Sequence, residues 1–459
     1  MADTYSDFIA QKRRRHTPSG FTCDTDWPAL FPHQKPIVRW ALRMGKAAIF
    51  LDTGLGKTLT QLTWAAEVAA HTGGKVILFA PLAVGEQTLT EAARFGIDAG
   101  RVGSESPIHV INYDRIHQVD PADYAGVVLD ESSILKSIDG KTRTTLIEAF
   151  QRTPYRLACT ATPAPNDQTE LGNHAEFLGI CTRTEMLAEF FVHDGGATQD
   201  WRLKGHARRL FWEWVASWAV LVKKPSDLGF DDGAYNLPAL HVIDHEVKID
   251  AEIPDGMLFA PPAAGLNDQR KARRDHLMPR VQAVADLVAS EPNEQWLIWC
   301  DLNDESDALA EAIPGAVEVR GSDDNDTKRD RLLGFAAGTV RILITKTKIA
   351  GFGLNWQTCA RMAFVGPTNS YESWYQAVRR CWRFGQAREV KVFMVKTSLD
   401  AIVSDNLKEK AESAKKMGDE MVGFARRVQL ESVMGARPGA NMAATQTARI
   451  PAWLVTEAE

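Results

Sequence analysis

A lysine and a threonine behind two glycines, an aspartate–glutamate pair behind an apolar run, and a late cluster of arginines are the groups in this sequence best suited to chemistry. The first set lies in KAAIFLDTGLGKTLT, residues 46–60, where an apolar run ends in Asp-Thr-Gly-Leu-Gly-Lys-Thr and a helical pattern follows. A strand, a glycine-containing turn and a helix N-terminus make a cradle for phosphate. Glycines let backbone N–H groups approach the anion, the helix end adds partial positive charge, and Lys57 adds a full one. Thr58 is set to place its hydroxyl on Mg²⁺. The strict pattern asks for glycine where this chain has Leu51, so the strand and helix on either side carry the reading of a nucleotide-phosphate site.

Asp130 and Glu131 end the apolar run AGVVLDE, residues 125–131. A surface Asp-Glu pair is common, but one capping a buried strand downstream of a phosphate loop fits a hydrolytic role. Asp130 would hold Mg²⁺ directly or through water, and Glu131 would orient and deprotonate the attacking water. Upstream, LFPHQKPIVRWAL at 30–42 puts Gln34 before an amphipathic helix. An amide offers one donor and one acceptor, which suits the edge of adenine. The third set, in SYESWYQAVRRCWRFGQ at 370–386, comprises Arg379, Arg380 and Arg383. These arginines are either solvent-facing ion-pair partners or fingers that reach a γ-phosphate across a cleft and neutralise charge in the transition state.

The elements that must position these groups are legible as apolar runs. KVILFAP (75–81), IHVINY (108–113), AGVVLDE and YRLACTAT (155–162) recur at α/β spacing with helical patterns between most of them, which predicts a parallel sheet. In such sheets function collects at the carboxyl ends of the strands. A second series, QWLIWC (295–300), AVEVR (316–320), VRILIT (340–345), RMAFVG (361–366) and VKVFMV (390–395), predicts another α/β domain without a phosphate loop of its own. The rhythm breaks at 185–235, where four tryptophans stand at 201, 212, 214 and 218 beside Arg202, Lys204, Arg208 and Arg209. Leu210, Trp214, Trp218 and Leu221 read as one helical face. A helix pair packed on the domain is the plain reading, and a protrusion touching a nucleic-acid backbone is the sharper one. The stretch LVKKPSDLGFDDGAYNLPAL reads as a turn-rich linker.

At 459 residues the chain accommodates two or three domains, and 45% hydrophobic and 24% charged residues are those of an ordinary globular protein. The net charge of −6 neither announces nor excludes a nucleic-acid partner, which depends on a local basic groove. MADTYSDFIAQKRRR lacks the apolar core of a secretory signal, and no apolar run reaches the ~18 residues of a membrane span. Six scattered cysteines without a Cys-x-x-Cys pair argue for a reducing, cytoplasmic setting and against a zinc site. Residues 1–20 read as a basic arm, either solvated or touching phosphate. Residues 401–434 read as a long amphipathic helix and 435–459 as a flexible tail ending in IPAWLV and acidic residues. That apolar peptide would dock on the second domain, bind a protein partner, or stay free in solution.

Taken in order from about 30 to 410, these motifs resemble superfamily II helicase-like ATPases, and among them the Swi/Snf-type double-stranded DNA translocases. LDTGLGKT is similar to the family's phosphate loop, PHQ with Gln34 to its adenine-reading element, DESSILKS (130–137) to D-E-x-H-x-x-K-N, and TATPAPN (160–166) to T-G-T-P-x-x-N. TKIAGFGLNW (347–356) resembles T-x-A-G-G-x-G-L-N-L, and QAVRRCWRFGQ resembles Q-A-x-x-R-x-x-R-x-G-Q. The resemblance implies two RecA-like parallel-sheet domains in tandem: 21–235 with the Trp-rich helical insertion, and 236–400 followed by the C-terminal helix. It implies ATP and Mg²⁺ in the cleft between them, and duplex DNA along a groove spanning both, worked by a monomer. The implied nucleotide set is Gln34, Thr53, Gly54, Leu55, Gly56, Lys57, Thr58, Gly353, Asn355 and Gln376. Thr58 and Asp130 take the metal, while Lys57, Asp130, Glu131, Arg380 and Arg383 do the catalysis. The chain departs from the pattern at Ser133 (family His), Ala161 and Ala350 (family Gly) and Thr88 (family Trp). A strand-separating DNA or RNA helicase, and an ATP-gated nucleic-acid scaffold with little turnover, remain as alternatives.

Overall fold

The structure, a computed structural model, describes residues 16–136, 140–193, 201–249, 265–350 and 355–435. Strands β1 (Lys46–Leu51), β2 (Lys75–Ala80), β3 (Ala99–Arg101), β4 (Ile108–Asn112), β5 (Tyr124–Asp130) and β6 (Tyr155–Thr160) belong to a first sheet. A short antiparallel hairpin follows, β7 (Phe191–His193) with β8 (Trp201–Leu203), and then β9 (Ala219–Val222) rejoins the sheet. The order is β3-β4-β2-β5-β6-β1-β9, and every ladder in it is parallel. A second parallel sheet comprises β10 (Leu240–Glu246), β11 (Trp296–Cys300), β12 (Ala316–Val319), β13 (Ile342–Lys346), β14 (Arg361–Phe364) and β15 (Val390–Lys396), in the order β10-β15-β14-β11-β13-β12. These are two RecA-like α/β lobes in tandem.

Central strands such as KAAIFL and KVILFA are continuous apolar runs because helices cover both faces of each sheet. Along β1, Ala48 and Phe50 enter the core on one face, while Ala47, Ile49 and Leu51 enter the core on the other. The second sheet repeats the arrangement, with Leu297 and Trp299 of β11 on one side and Trp296, Ile298 and Cys300 on the other. In both lobes the carboxyl ends of the strands carry the polar loops.

The Trp-rich stretch differs from the expected single helical face. Its helix, Arg208–Val215, ends before Trp218, and Leu221 lies in β9, so the periodicity at 210–221 belongs to a helix, a turn and a strand in succession. Trp212, Trp214 and Trp218 are buried in the first lobe's core, whereas Leu210 points outward. The stretch is therefore an edge strand and its cover. Its basic side chains are spent within the protein: Lys204 Nζ caps the carbonyls of Ala188 and Glu189 at 3.0 and 2.8 Å, and Arg209 pairs with Glu213 at 2.7 Å. Arg208 faces Glu420 at 3.6 Å. These partners favour the structural reading over the nucleic-acid protrusion.

Glu420 belongs to the long C-terminal helix, Ala401–Met434, which leaves the second lobe and lies back across the first. Leu407 packs in the second lobe's core, Met417 and Met421 in the first lobe's. Residues 1–15 of the basic arm and the IPAWLV tail lie outside the described residues, and at the arm's end Ser19 N and Gly20 N donate to the carbonyls of Met44 and Arg43, both at 3.1 Å. Among the described residues no helix is long and apolar enough to cross a membrane.

Candidate active site

At the end of β1 the chain turns through Asp52–Gly56 into the helix Lys57–Thr72. Two of these residues are in the left-handed region, Gly54 at φ 95° and Gly56 at φ 78°. A side chain at Gly56 would also meet Gln34 Nε2 at 2.1 Å, so bare backbone is required there twice over. Gln34 is buried directly beneath the loop. Its Nε2 donates to the carbonyls of Leu55 and Gly56, both at 3.0 Å, and its Oε1 accepts from Phe31 N at 2.8 Å. The amide's donor and acceptor are thus both in use, on the loop and its own helix start. Leu55 is buried, while Thr53 and Thr58 are half-buried.

β5 lies two strands from β1 and delivers the acidic pair. Lys57 Nζ stands 3.3 Å from Glu131 Oε1, and Thr160 Oγ1, at the end of β6, donates to Glu131 Oε2 at 3.4 Å. Glu131 is at φ 53°, the one non-glycine residue with positive φ among the described residues. Such a backbone costs on the order of 1–3 kcal/mol and persists only where neighbours enforce it. The enforcing contacts are local: Tyr113 Oη donates to Asp130 O at 2.7 Å, Ile134 N donates to Glu131 O at 3.2 Å, and Ser132 Oγ meets the buried ring of His174 at 3.1 Å. Burial pushes His174 down to about 4, so its imidazole is a neutral strut.

Asp130 is itself buried, and its carboxyl is pushed up to about 7, first by burial and then by the charge of Glu131, with Lys57 opposing. A carboxylate this poorly compensated invites a cation. Asp130 and the Thr58 hydroxyl are hard oxygen ligands of the kind Mg²⁺ takes in ones and twos while keeping water and phosphate for the rest. A positive-φ glycine loop, a helix N-terminus and Lys57 likewise fit a polyphosphate. Among the described residues no group of three or more His, Cys, Asp or Glu forms an alternative metal centre.

The second lobe contributes the opposite wall through the helix Tyr371–Val378 and the turn after it. A Cβ on Gly54 would lie 3.4 Å from Phe384 and 4.0 Å from Arg383 Cβ, so the arginine turn abuts the phosphate loop. Arg380 is buried, and its guanidinium is pushed down to about 10 by burial and by Arg383, while Glu131 pulls it back up. Arg383 is pushed down to about 10 by burial and by Arg379, with Glu91 opposing. Both sequence-selected arginines therefore stand in the cleft with Lys57, Asp130 and Glu131. Arginines crowded and desolvated in this way favour an added anion.

Other sequence-selected residues fall differently. Gln376 is half-buried on the same helix, Asn355 is exposed, and Gly353 lies outside the described residues. Thr88 is buried and donates to Val84 O at 3.0 Å, so it serves its own helix. Ser133 is buried, and its hydroxyl donates to Glu372 of the second lobe.

Sequence reading missed the polar seam around these groups. Asp52, one residue before the loop's threonine, accepts from the Tyr375 hydroxyl and pairs with Arg379 Nη2 at 2.8 Å; the same Nη2 donates to Thr53 O at 2.8 Å. An acid immediately ahead of a phosphate loop is out of place electrostatically, and that oddity was the available signal for a cation opposite.

Residues 279–385, which carry β11 through β14 and the arginine turn, match the family model of the helicase conserved C-terminal domain. Over these residues the second lobe is similar to a helicase C-terminal domain. Its last matched residues include Arg380 and Arg383, the two arginines in the cleft. Among solved structures the chain is similar to the Sulfolobus solfataricus SWI2/SNF2 ATPase core in complex with dsDNA, at 16% identity over 88% of this chain and 96% of that one, with a TM-score of 0.40. No curated protein matches the chain.

Proposed function

We propose that this protein is an ATP-driven motor on duplex DNA, of the Swi/Snf-type within the helicase-like ATPases, hydrolysing ATP in the cleft between its lobes. The observation that carries the reading is the convergence of Lys57, Asp130 and Glu131 from one lobe with Arg380 and Arg383 from a helicase C-terminal domain. Lys57 and the loop hold the phosphates. Thr58 and Asp130 would hold Mg²⁺, which would supply positive charge against the polyphosphate. Glu131 orients and deprotonates water, and the two arginines supply positive charge where it develops in the transition state. The choice of duplex DNA rests on the QAVRRCWRFGQ turn, whose ending resembles that of the translocases rather than that of strand-separating helicases.

Steady-state ATP hydrolysis measured alone and with single-stranded DNA, duplex DNA or RNA tests this directly. Stimulation by duplex DNA without strand separation is expected. Stimulation by single strands with unwinding would make the protein a helicase, and binding without turnover would make it an ATP-gated scaffold.

A further inference from the structure

Glu372 is the second residue of the Tyr371–Val378 helix in the second lobe, and its carboxylate is mostly buried against the first. Three donors from two loops of the first lobe converge on it. The Ser133 hydroxyl and the Lys136 ammonium both bond to it, and Thr162 Oγ1 approaches Oε1 at 3.5 Å. Ser133 and Lys136 lie in the short turn that begins at Glu131, and Thr162 follows β6, whose Thr160 donates to Glu131. The carboxylate therefore ties the turn that follows Glu131 to the loop after β6, whose Thr160 touches the Glu131 carboxylate, and it does so from the other lobe.

Spacing along the helix explains why this is possible. Glu372, Tyr375 and Arg379 fall at i, i+3 and i+7, one face of a helical turn sequence, and all three reach the first lobe. Tyr375 and Arg379 grip Asp52 beside the phosphate loop, and Glu372 grips the Glu131 loop. A cation meeting a carboxylate in a desolvated seam is strongly held only with the lobes together, because separation returns both to water.

We propose that Glu372 is a positioning residue that couples lobe closure to the placement of Glu131. It acts through Ser133 and Lys136, setting the base only when the second lobe is seated. The proposal rests on the ATPase reading above for its catalytic consequence, but its lobe-to-lobe contact stands independently.

The test uses the full-length protein with Glu372→Gln, Glu372→Lys, Lys136→Glu, and the exchanged pair Lys136→Glu with Glu372→Lys. Two measurements are made: the distance distribution between spin labels placed one on each lobe, and kcat and KM for ATP with duplex DNA. Glu372→Lys should shift the distances outward and lower kcat on the order of 10²-fold, with KM little changed, as for a displaced catalytic group. The exchanged pair should restore both the short distance and most of kcat, and thermal melting of each variant controls for misfolding. A wild-type protein that turns over no ATP under any condition would sink the motor reading but not the contact, which the distances still decide. If the exchanged pair is as open as either single variant, or if Glu372→Lys leaves distance and kcat unchanged, Glu372 has no coupling role.

Discussion

Replacing Arg379 with alanine removes the cation that the second lobe sets against the phosphate loop. In the intact protein its Nη2 lies 2.8 Å from Asp52 Oδ2 and 2.8 Å from Thr53 O, with 5% of the arginine side chain and 19% of the aspartate's exposed. Removing one partner of a buried pair costs about 3–5 kcal/mol, because the other charge stays behind. Asp52 would keep two donors, the Tyr375 hydroxyl and Thr53 N at 2.6 Å, so the lower end, about 3 kcal/mol, applies. The cost falls on the closed arrangement, since open lobes leave both groups in water. At about 1.4 kcal/mol per tenfold, closure should weaken by roughly two orders of magnitude. Spin-label distances and kcat for ATP should both report it. Asp52→Asn should produce a smaller version, and in the double variant the two losses should overlap rather than add. Additive losses, within about 0.5 kcal/mol, would mean that the two side chains do not act as a pair and would refute the reasoning.

Lys57→Ala should abolish hydrolysis and weaken ATP binding, whereas Glu131→Gln should bind ATP normally and stall; equal affinity and turnover in the two variants would overturn the role assignments. Arg383→Ala should lower turnover on the order of 10³-fold with little change in nucleotide affinity, measured by single-turnover hydrolysis and nucleotide titration. For Asp130, the folded pKa of about 7 lies above its ordinary value of 3.8, so its proton stabilises the fold at acid pH and that contribution is lost as pH rises through about 7. The melting temperature should therefore fall across that range, less steeply in Asp130→Asn, and Mg²⁺ with nucleotide should oppose the fall.

The strands that lead to Lys57 and to the Asp130–Glu131 pair were legible because each is a long apolar run ending in a glycine turn or in acid, and burial on both faces demands such runs. β9 and β10 were not, for different reasons. AVLV is four residues following a tryptophan turn, and LHVIDHE alternates weakly at a sheet edge, behind a stretch rich in turn formers. Gln34 could not have been placed from sequence: its amide donates to the carbonyls of Leu55 and Gly56 and accepts from Phe31 N, contacts set by the fold of the loop above it. The Asp52–Arg379 and Ser133–Glu372 contacts join residues more than two hundred positions apart, and nothing in one sequence states such pairings. The face shared by Glu372, Tyr375 and Arg379 was nonetheless readable as a helical stripe. Ser133 illustrates the limit most plainly. By type it is a departure from the resembled family, and only the fold shows that its hydroxyl bonds across the cleft.

The lobes are joined by more than the cleft. The C-terminal helix begins at Asp400, whose carboxylate pairs at 2.7 Å with fully buried Arg280, fixing its first turn to the second lobe. Its far end is fixed to the first lobe, where the Trp40 indole donates to Ser432 Oγ at 2.8 Å and Val433 enters the core. Between them Met417 and Met421 are inserted in the first lobe's core. Burying side chains of this size is worth roughly 1.5–3 kcal/mol each, comparable with the Asp52 clamp but independent of anything in the cleft. Gly418 lies between the two methionines, and a Cβ there would meet Lys223 Nζ at 2.5 Å, so the helix approaches the first lobe closely where it is most deeply seated. Separating the lobes fully requires unseating this helix as well as breaking the polar seam. Motion that keeps it seated must instead be taken up by the span between Leu407 and Met417. Were the seam at Asp52 and Glu372 to open with the helix seated, that span would be the hinge and the helix would keep the two lobes joined.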